Sequence, residues 1–227
     1  KAPGLDWTAF LQAAGLDGQQ DFIVWQPDAV AGISALVALQ PLDTWKDYLA
    51  FHALDRASTY LPKAFADEQF AFYGKTLNGT PEQRERWKRA VAATNDALGE
   101  AVGQQYVARH VNAETRVRAE AMVANLIAAF GKRIDALEWM STQTKAEARA
   151  KVAGLRVALG YPDRWRDYSA LEVKPDDALG NAQRAEAFEY RRNIAKLGQA
   201  VNHDEWYMLP QTVNAYYNFA NNEIVFP

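Results

Sequence analysis

A chain of 227 residues, 49% apolar and 23% charged, has the composition of a folded globular protein and enough length to bury a sizeable core in one or two domains. A formal net charge of −3 with interleaved signs argues against a nucleic-acid partner, and the absence of cysteine excludes disulfides, thiolate nucleophiles and Cys-based zinc sites. No apolar run reaches the length of a membrane span, and the seven tryptophans are expected to serve packing.

Most of the chain reads as helix. The first helix is expected from Trp7, with Asp6 as its cap and Gly15 as its end. Phe22, Ile23, Val24 and Trp25 form a short apolar run that fits either a strand or buried coil. Pro27 suits the first turn of a second helix, along which Val30, Ile33, Leu36 and Val37 recur at helical spacing. Asp43 or Thr44 opens a third, carrying Trp45, Tyr48, Leu49, His52 and Leu54. Pro62 begins a fourth through Phe65, Phe70 and Phe72. Asn78-Gly79 marks a turn; Thr80, Pro81 and Gln83 then read as cap, first position and capping-box partner of a long amphipathic helix toward Val111. Asn112 caps the next, whose Val117, Met122, Leu126, Phe130, Ile134 and Leu137 predict an inward stripe. Ser141 starts a shorter helix that Gly154 ends. Residues 155–171 read as irregular, and a last helix spans about 176–197.

Near Gly198–Asp204 helical periodicity gives way to alternation, which places a boundary there. From Thr212 to Tyr217, Val213, Ala215 and Tyr217 point one way and Asn214 and Tyr216 the other, as a strand demands. Asn218, Asn221 and Asn222 supply a turn, and Glu223 to Phe226 a second strand. The fold class is therefore mainly α, a multi-helix lobe with a short C-terminal β-hairpin.

Little in the helical part invites chemistry. A helical zinc site needs H-E-x-x-H, and His52, His110 and His203 are scattered, none followed by Glu, so neither a metal site nor catalytic residues are expected in this chain. There is no G-x-S-x-G elbow. Carboxylates such as Glu82 and Glu85 or Asp67 and Glu68 read as a solvated helix surface. Asn78-Gly79-Thr80 matches a glycosylation acceptor, but turn plus cap explains it. The C-terminal strand differs, because an exposed edge can bind an extended peptide through backbone groups, with an asparagine amide to fasten it in register. Read alone, Asn214 is better explained as a polar residue on the outer face of a half-buried strand.

The string Pro210-Gln211-Thr212-Val213-Asn214-Ala215-Tyr216-Tyr217, followed by Asn222-Glu223-Ile224-Val225-Phe226-Pro227, resembles the substrate-binding edge strand of neprilysin-like zinc metallopeptidases, the family of neprilysin, endothelin-converting enzyme and bacterial PepO-type endopeptidases. Upstream strings resemble the helical part of the same family: Tyr60 to Phe65, Phe70 to Tyr73, Arg86-Trp87-Lys88, Leu98-Gly99-Glu100-Ala101-Val102-Gly103, Gly160-Tyr161-Pro162-Asp163 and Trp165-Arg166-Asp167-Tyr168. The resemblance implies a helical, size-selecting lobe over residues 1–200. It also implies that 201–227 begin a thermolysin-like catalytic domain, with Asn214, Ala215 and Tyr216 binding the substrate backbone. The family's H-E-x-x-H and downstream E-x-x-x-D have no counterpart up to Pro227. Zinc is thus expected in the full-length enzyme, none bound by this chain, and the chain alone is expected to be inactive. The implied partners are peptide substrates and the catalytic segment beyond Pro227, in a periplasmic, cell-envelope or secreted setting. The competing readings are a non-enzymatic helical module that binds peptides or proteins, and a pseudo-peptidase.

Overall fold

The computed structural model describes residues 2–227. Among them, eight α-helices run over Trp7–Ala13 (α1), Pro27–Leu39 (α2), Leu42–Ala57 (α3), Lys63–Gln69 (α4), Arg86–His110 (α5), Ala113–Ala136 (α6), Thr142–Ala153 (α7) and Ala178–Ile194 (α8). Three strands cover Arg156–Leu159 (β1), Tyr216–Asn218 (β2) and Glu223–Phe226 (β3). The chain is thus mainly helical with a small sheet. It forms two compact units, one built from residues up to Glu85 together with Val173–Gln199, the other from Arg86–Glu172 together with Ala200–Pro227.

The first unit is all-helical. The Asp6 carboxylate accepts the Ala9 N–H at 3.0 Å, and Gly15 ends the turn after α1 at φ +66°. Ser34 on α2 is 1% exposed, and its hydroxyl accepts the N–H groups of Gly4 (2.8 Å) and Leu5 (3.0 Å), pinning the N-terminal segment to the helix. A side chain at Gly4 would collide with the Ser34 carbonyl, at 1.9 Å. Asp177 caps α8 by accepting from Gly180 N–H at 3.0 Å and from the Arg184 guanidinium at 2.9 Å, and the Tyr190 hydroxyl donates to the Ala14 carbonyl at 2.7 Å.

Three expectations are corrected in this part of the chain. Phe22–Trp25 is neither strand nor buried coil: Ile23 is 86% and Trp25 89% exposed, since no neighbouring backbone offers the run a ladder. The third helix starts at Leu42 behind Pro41 without a side-chain cap. The Thr80 capping box does not form. Instead α4 passes into a π-helical segment, Phe70–Leu77, and the chain after it closes that helix: Asn78 Nδ2 donates to Tyr73 O at 2.7 Å and Thr80 N–H to Gly74 O at 2.9 Å. Gln83 reaches the Ala66 carbonyl rather than Thr80, and α5 begins only at Arg86.

The second unit holds α5–α7 and the sheet, with α6 packed against α7 and β1. Asn112 caps α6 by accepting from Thr115 N–H at 2.7 Å, and Ser141 caps α7 by accepting from Thr144 N–H at 3.1 Å. The sheet has the order β1-β3-β2, with β1 parallel and β2 antiparallel to the central β3. Val225 at its centre is fully buried, and Val123, Ile134, Leu159 and Trp206 are also buried in this unit. β1 lies inside the stretch expected to be irregular. Arg156 to Leu159 is too short to show alternation, and its partner, Glu223 to Phe226, lies far along the chain. The stripe on α6 is also corrected. Ile134 is buried as expected and Leu137 half-buried, but Val117, Met122, Leu126 and Phe130 are exposed and the other buried position is Val123, so the inward face departs from the expected stripe over most of the helix. Of the seven tryptophans, Trp206 alone is buried.

Candidate functional site

Because β3 is the central strand, β2 has one edge paired and its outer edge open. The paired register runs Tyr216↔Val225, Tyr217↔Ile224 and Asn218↔Glu223. The turn between the strands is set by asparagines. Asn218 Oδ1 accepts from Ala220 N–H (3.0 Å) and Asn221 N–H (3.3 Å), and Asn222 adopts φ +47°. The Asn222 side chain accepts from the Tyr217 hydroxyl and donates to Lys151 O at the end of α7.

The strand is shorter than alternation predicts. Thr212–Ala215 precedes β2 and does not belong to it. Continued pairing would set Asn214 opposite Pro227, which has no N–H to donate. The two amides are instead satisfied locally, Asn214 N–H by Thr212 O at 3.1 Å and Ala215 N–H by Asn214 Oδ1 at 2.8 Å. Val213 (103% exposed), Asn214 and Ala215 stand in solvent in line with the open edge, and the Asn214 Nδ2 donors have no protein partner among the described residues. Tyr216 turns inward: its hydroxyl accepts from Tyr207 N–H at 3.2 Å, and its ring meets the Tyr207 ring edge-on at 5.9 Å. Burial holds that hydroxyl above the ordinary tyrosine value, with the Glu223 carboxylate adding to the effect and the Tyr207 amide opposing it. Tyr216 therefore stays neutral and anchors the strand.

The segment ahead of Asn214 is seated on α5, at a feature that sequence reading missed. Leu98 leaves helical geometry (φ −132°, ψ 31°) and kinks the helix, with Gly99 and Gly103 beyond it one turn apart on one face. A Cβ at Gly99 would lie 2.6 Å from a Leu209 methyl, and one at Gly103 would lie 2.9 Å from Gln211 Oε1 and 3.0 Å from Pro210 Cδ. The two glycines thus make the groove in which Leu209-Pro210-Gln211 rests. Gln211 Nε2 donates to Asn95 Oδ1 at 3.0 Å and to the Gly99 carbonyl at 3.1 Å.

The kink also gathers a second segment. Glu100 N–H donates to the Tyr168 hydroxyl at 3.2 Å. The Glu100 carboxylate, in a residue 8% exposed, accepts from Arg166 N–H at 2.7 Å and pairs with its guanidinium at 3.1 Å. Three of the quoted strings, 98–103, 165–168 and 210–217, therefore meet at one bend. The glycine pair four residues apart was the available signal.

A cavity of about 410 Å³ lies elsewhere in the same unit, among α6, β1 and the 203–206 segment. Arg116, Arg156, His203 and Glu223 are among its lining residues, and Asn214 and Ala215 are not. Glu223 is 3% exposed, and its Oε2 has no hydrogen-bond partner among the described residues.

The residues present do not fit a zinc ion. No three His, Asp or Glu side chains among the described residues come together as ligands. The His52 ring packs against Tyr48 at 4.2 Å and the His110 ring against Tyr106 at 4.9 Å, while His203 gives its carbonyl to Arg156. No helix among these residues is long and apolar enough to cross a membrane.

The chain is similar throughout its length to the endothelin-converting enzyme homolog of Locusta migratoria (28% identical, all of this chain and 34% of the relative) and to neprilysin-3 of Drosophila melanogaster (31% identical, all of this chain and 31% of the relative). The structure of the Mycobacterium tuberculosis zinc metalloprotease Zmp1 in complex with an inhibitor matches with a TM-score of 0.91 at 40% identity, over all of this chain and 34% of the other. The chain spans about a third of the length of these relatives. The family model described as peptidase family M13 matches residues 1–162, and the chain, with its helical fold and edge strand, belongs to that family.

Proposed function

We propose that this chain is part of a longer zinc-dependent metalloendopeptidase and that its own contribution is to receive and align peptide substrates. The observation that carries this reading is the exposed Asn214-Ala215 pair in line with the open edge of β2. A peptide laid beside that edge in extended form adds a strand by backbone hydrogen bonding, which is independent of its side chains and suits broad specificity. Asn214 Nδ2 offers donors to the peptide carbonyls, Ala215 leaves room for close approach, and the half-buried Tyr216, its hydroxyl bonded to Tyr207 N–H, keeps the strand in place. Holding the scissile region in one register removes much of the entropic barrier to its hydrolysis.

The hydrolytic groups and the zinc ligands belong, in this reading, to the remaining polypeptide, with residues 201–227 opening the catalytic domain and the preceding helices forming a wall that selects substrates by size. The likeness to the zinc metalloprotease Zmp1 supports the zinc and the protease activity, and a periplasmic, cell-envelope or secreted setting is what the family resemblance implies.

The test is Asn214→Ala in the full-length protein. Loss of a substrate-directed hydrogen bond should lower kcat/KM on a short peptide by about tenfold, with zinc content unchanged. Wild-type turnover in that variant refutes the alignment role. A full-length wild-type protein with no peptidase activity when zinc-loaded points instead to a peptide-binding module.

A further inference from the structure

The aligning pair is exposed and makes only local bonds, so something else must fix where it sits. From the seating of residues 209–211 on α5 we infer that Gln211 is a positioning residue for peptide hydrolysis, acting as a latch that joins the bent helix to the edge that receives substrate. This inference rests on the alignment role proposed for Asn214 and Ala215.

Four observations carry it. The Gln211 amide is partly buried and spends both Nε2 donors on α5, one on the Asn95 side chain and one on the Gly99 carbonyl. The seat is close-fitting, since a side chain at Gly103 would press on Gln211 Oε1, which is buried without a hydrogen-bond partner among the described residues, and on the rigid Pro210 ring. Only Thr212 and Val213 separate the latch from Asn214, and Thr212 N–H is held back to Leu209 O at 2.9 Å, so the link between them is a tight turn with little slack. On the far side, Tyr216 is tied to Tyr207 N–H. Asn214 and Ala215 are thus slung between two anchors, of which Tyr216 belongs to the sheet and Gln211 to α5.

The chemical consequence is specific. A loosened latch leaves the sheet, the fold and any metal site untouched but lets the 212–215 segment wander by a fraction of an ångström or more. Misplacement of that order costs about tenfold to a hundredfold in rate when it lies along the reacting peptide. The loss should fall on kcat, because a bound peptide can follow a displaced edge without leaving it, while the reacting carbonyl loses its alignment.

The experiment uses the full-length enzyme loaded with zinc and a fluorogenic peptide, comparing wild type, Gln211→Glu, Asn95→Ala and Asn214→Ala. Gln211→Glu keeps the shape of the side chain and turns its donor into a second acceptor facing the Gly99 carbonyl. Expected is a tenfold or larger fall in kcat with KM within about twofold, zinc content as in wild type and the protein fully folded at the assay temperature, and a smaller fall of the same kind for Asn95→Ala. Wild-type kcat for Gln211→Glu overturns the latch, as does a loss accounted for by the unfolded fraction at the assay temperature or by lost zinc. Should Gln211→Glu fail to fold, Asn95→Ala, which removes one acceptor, decides by the same criteria. If Asn214→Ala is impaired and both latch variants are not, the latch alone fails. If Asn214→Ala behaves as wild type, the alignment reading fails and the latch with it.

Discussion

Removal of the Glu100 carboxylate should unlock the α5 bend more than any other single change in the second unit. Glu100 is buried and does two jobs: it accepts the Arg166 backbone N–H at 2.7 Å and neutralises the Arg166 guanidinium at 3.1 Å. Breaking a buried ion pair from one side costs about 3–5 kcal/mol, since the surviving charge is left in poor solvent. The Arg166 side chain is 21% exposed and has interactions besides Glu100, among them the Tyr168 ring at 5.9 Å, so its charge stays partly compensated and the lower end applies, about 3 kcal/mol for Glu100→Ala. Glu100→Gln retains an acceptor for the Arg166 amide and loses only the charge, which places it near 1.5 kcal/mol. Because the cost is local, amide hydrogen exchange by mass spectrometry on the full-length protein is the appropriate assay. Peptides covering 95–105 and 163–170 should exchange about a hundredfold faster in Glu100→Ala and about tenfold faster in Glu100→Gln, with α8 unchanged. Exchange within twofold of wild type in the alanine variant would refute the argument. Equal acceleration in both variants would show that the charge, not the hydrogen bond, is what Glu100 contributes.

Two further predictions concern the first unit. Ser34→Ala strands the N–H groups of Gly4 and Leu5, which the buried hydroxyl satisfies, and should cost about 2 kcal/mol, read as accelerated exchange over residues 4–10. Asp177 has its pKa held below the ordinary carboxylate value, first by the Arg184 hydrogen bond and then by the Gly180 amide. A lowered folded-state pKa means that the unfolded chain takes up the proton first. The stabilisation from this cap is therefore complete above the ordinary carboxylate range and is lost as pH falls through the lowered value. Exchange at the start of α8 should rise on acidification in wild type, and much less steeply in Asp177→Asn, which caps without titrating.

Where local chemistry decides, the chain was readable. Asp6, Asn112 and Ser141 each accept the N–H three residues on, because a short oxygen-bearing side chain before an amphipathic run has an orphan donor within reach whatever the rest of the fold does. Gly15 and Gly154 end their helices for similarly local reasons. The asparagine turn between β2 and β3 belongs to the same class. Thr80 shows the limit. It carries every mark of a cap, but its N–H was already claimed by Gly74, and a local preference yields when a neighbouring helix end needs the same group.

Elsewhere, pattern was insufficient because two solutions were equally apolar. α6 carries hydrophobic residues on more than one face, and of the expected stripe packing buried Ile134 but took Val123 over Val117, Met122, Leu126 and Phe130. β1 has four residues and pairs with a strand more than sixty positions away, so nothing within its own window distinguishes it from a loop. The edge strand was half legible. Its alternation marked a strand, but where pairing stops depends on what stands opposite, and Pro227 has no N–H to offer.

By itself, then, the sequence determined the mainly helical class, the helix caps, the Asn-rich hairpin and, through the order of its motifs, membership of the peptidase family. These rest on interactions between residues a few positions apart, or on strings read whole. Only the tertiary structure decided that Gly99 and Gly103 form a seat for Leu209-Pro210-Gln211, that Glu100 holds Arg166 and Tyr168 at the same bend, and that the open edge of β2 begins at Tyr216 with Asn214 and Ala215 standing free before it. The reason is physical: a missing Cβ, an unpaired donor or an open strand edge acquires meaning only when chain segments about a hundred residues apart are brought within hydrogen-bonding distance.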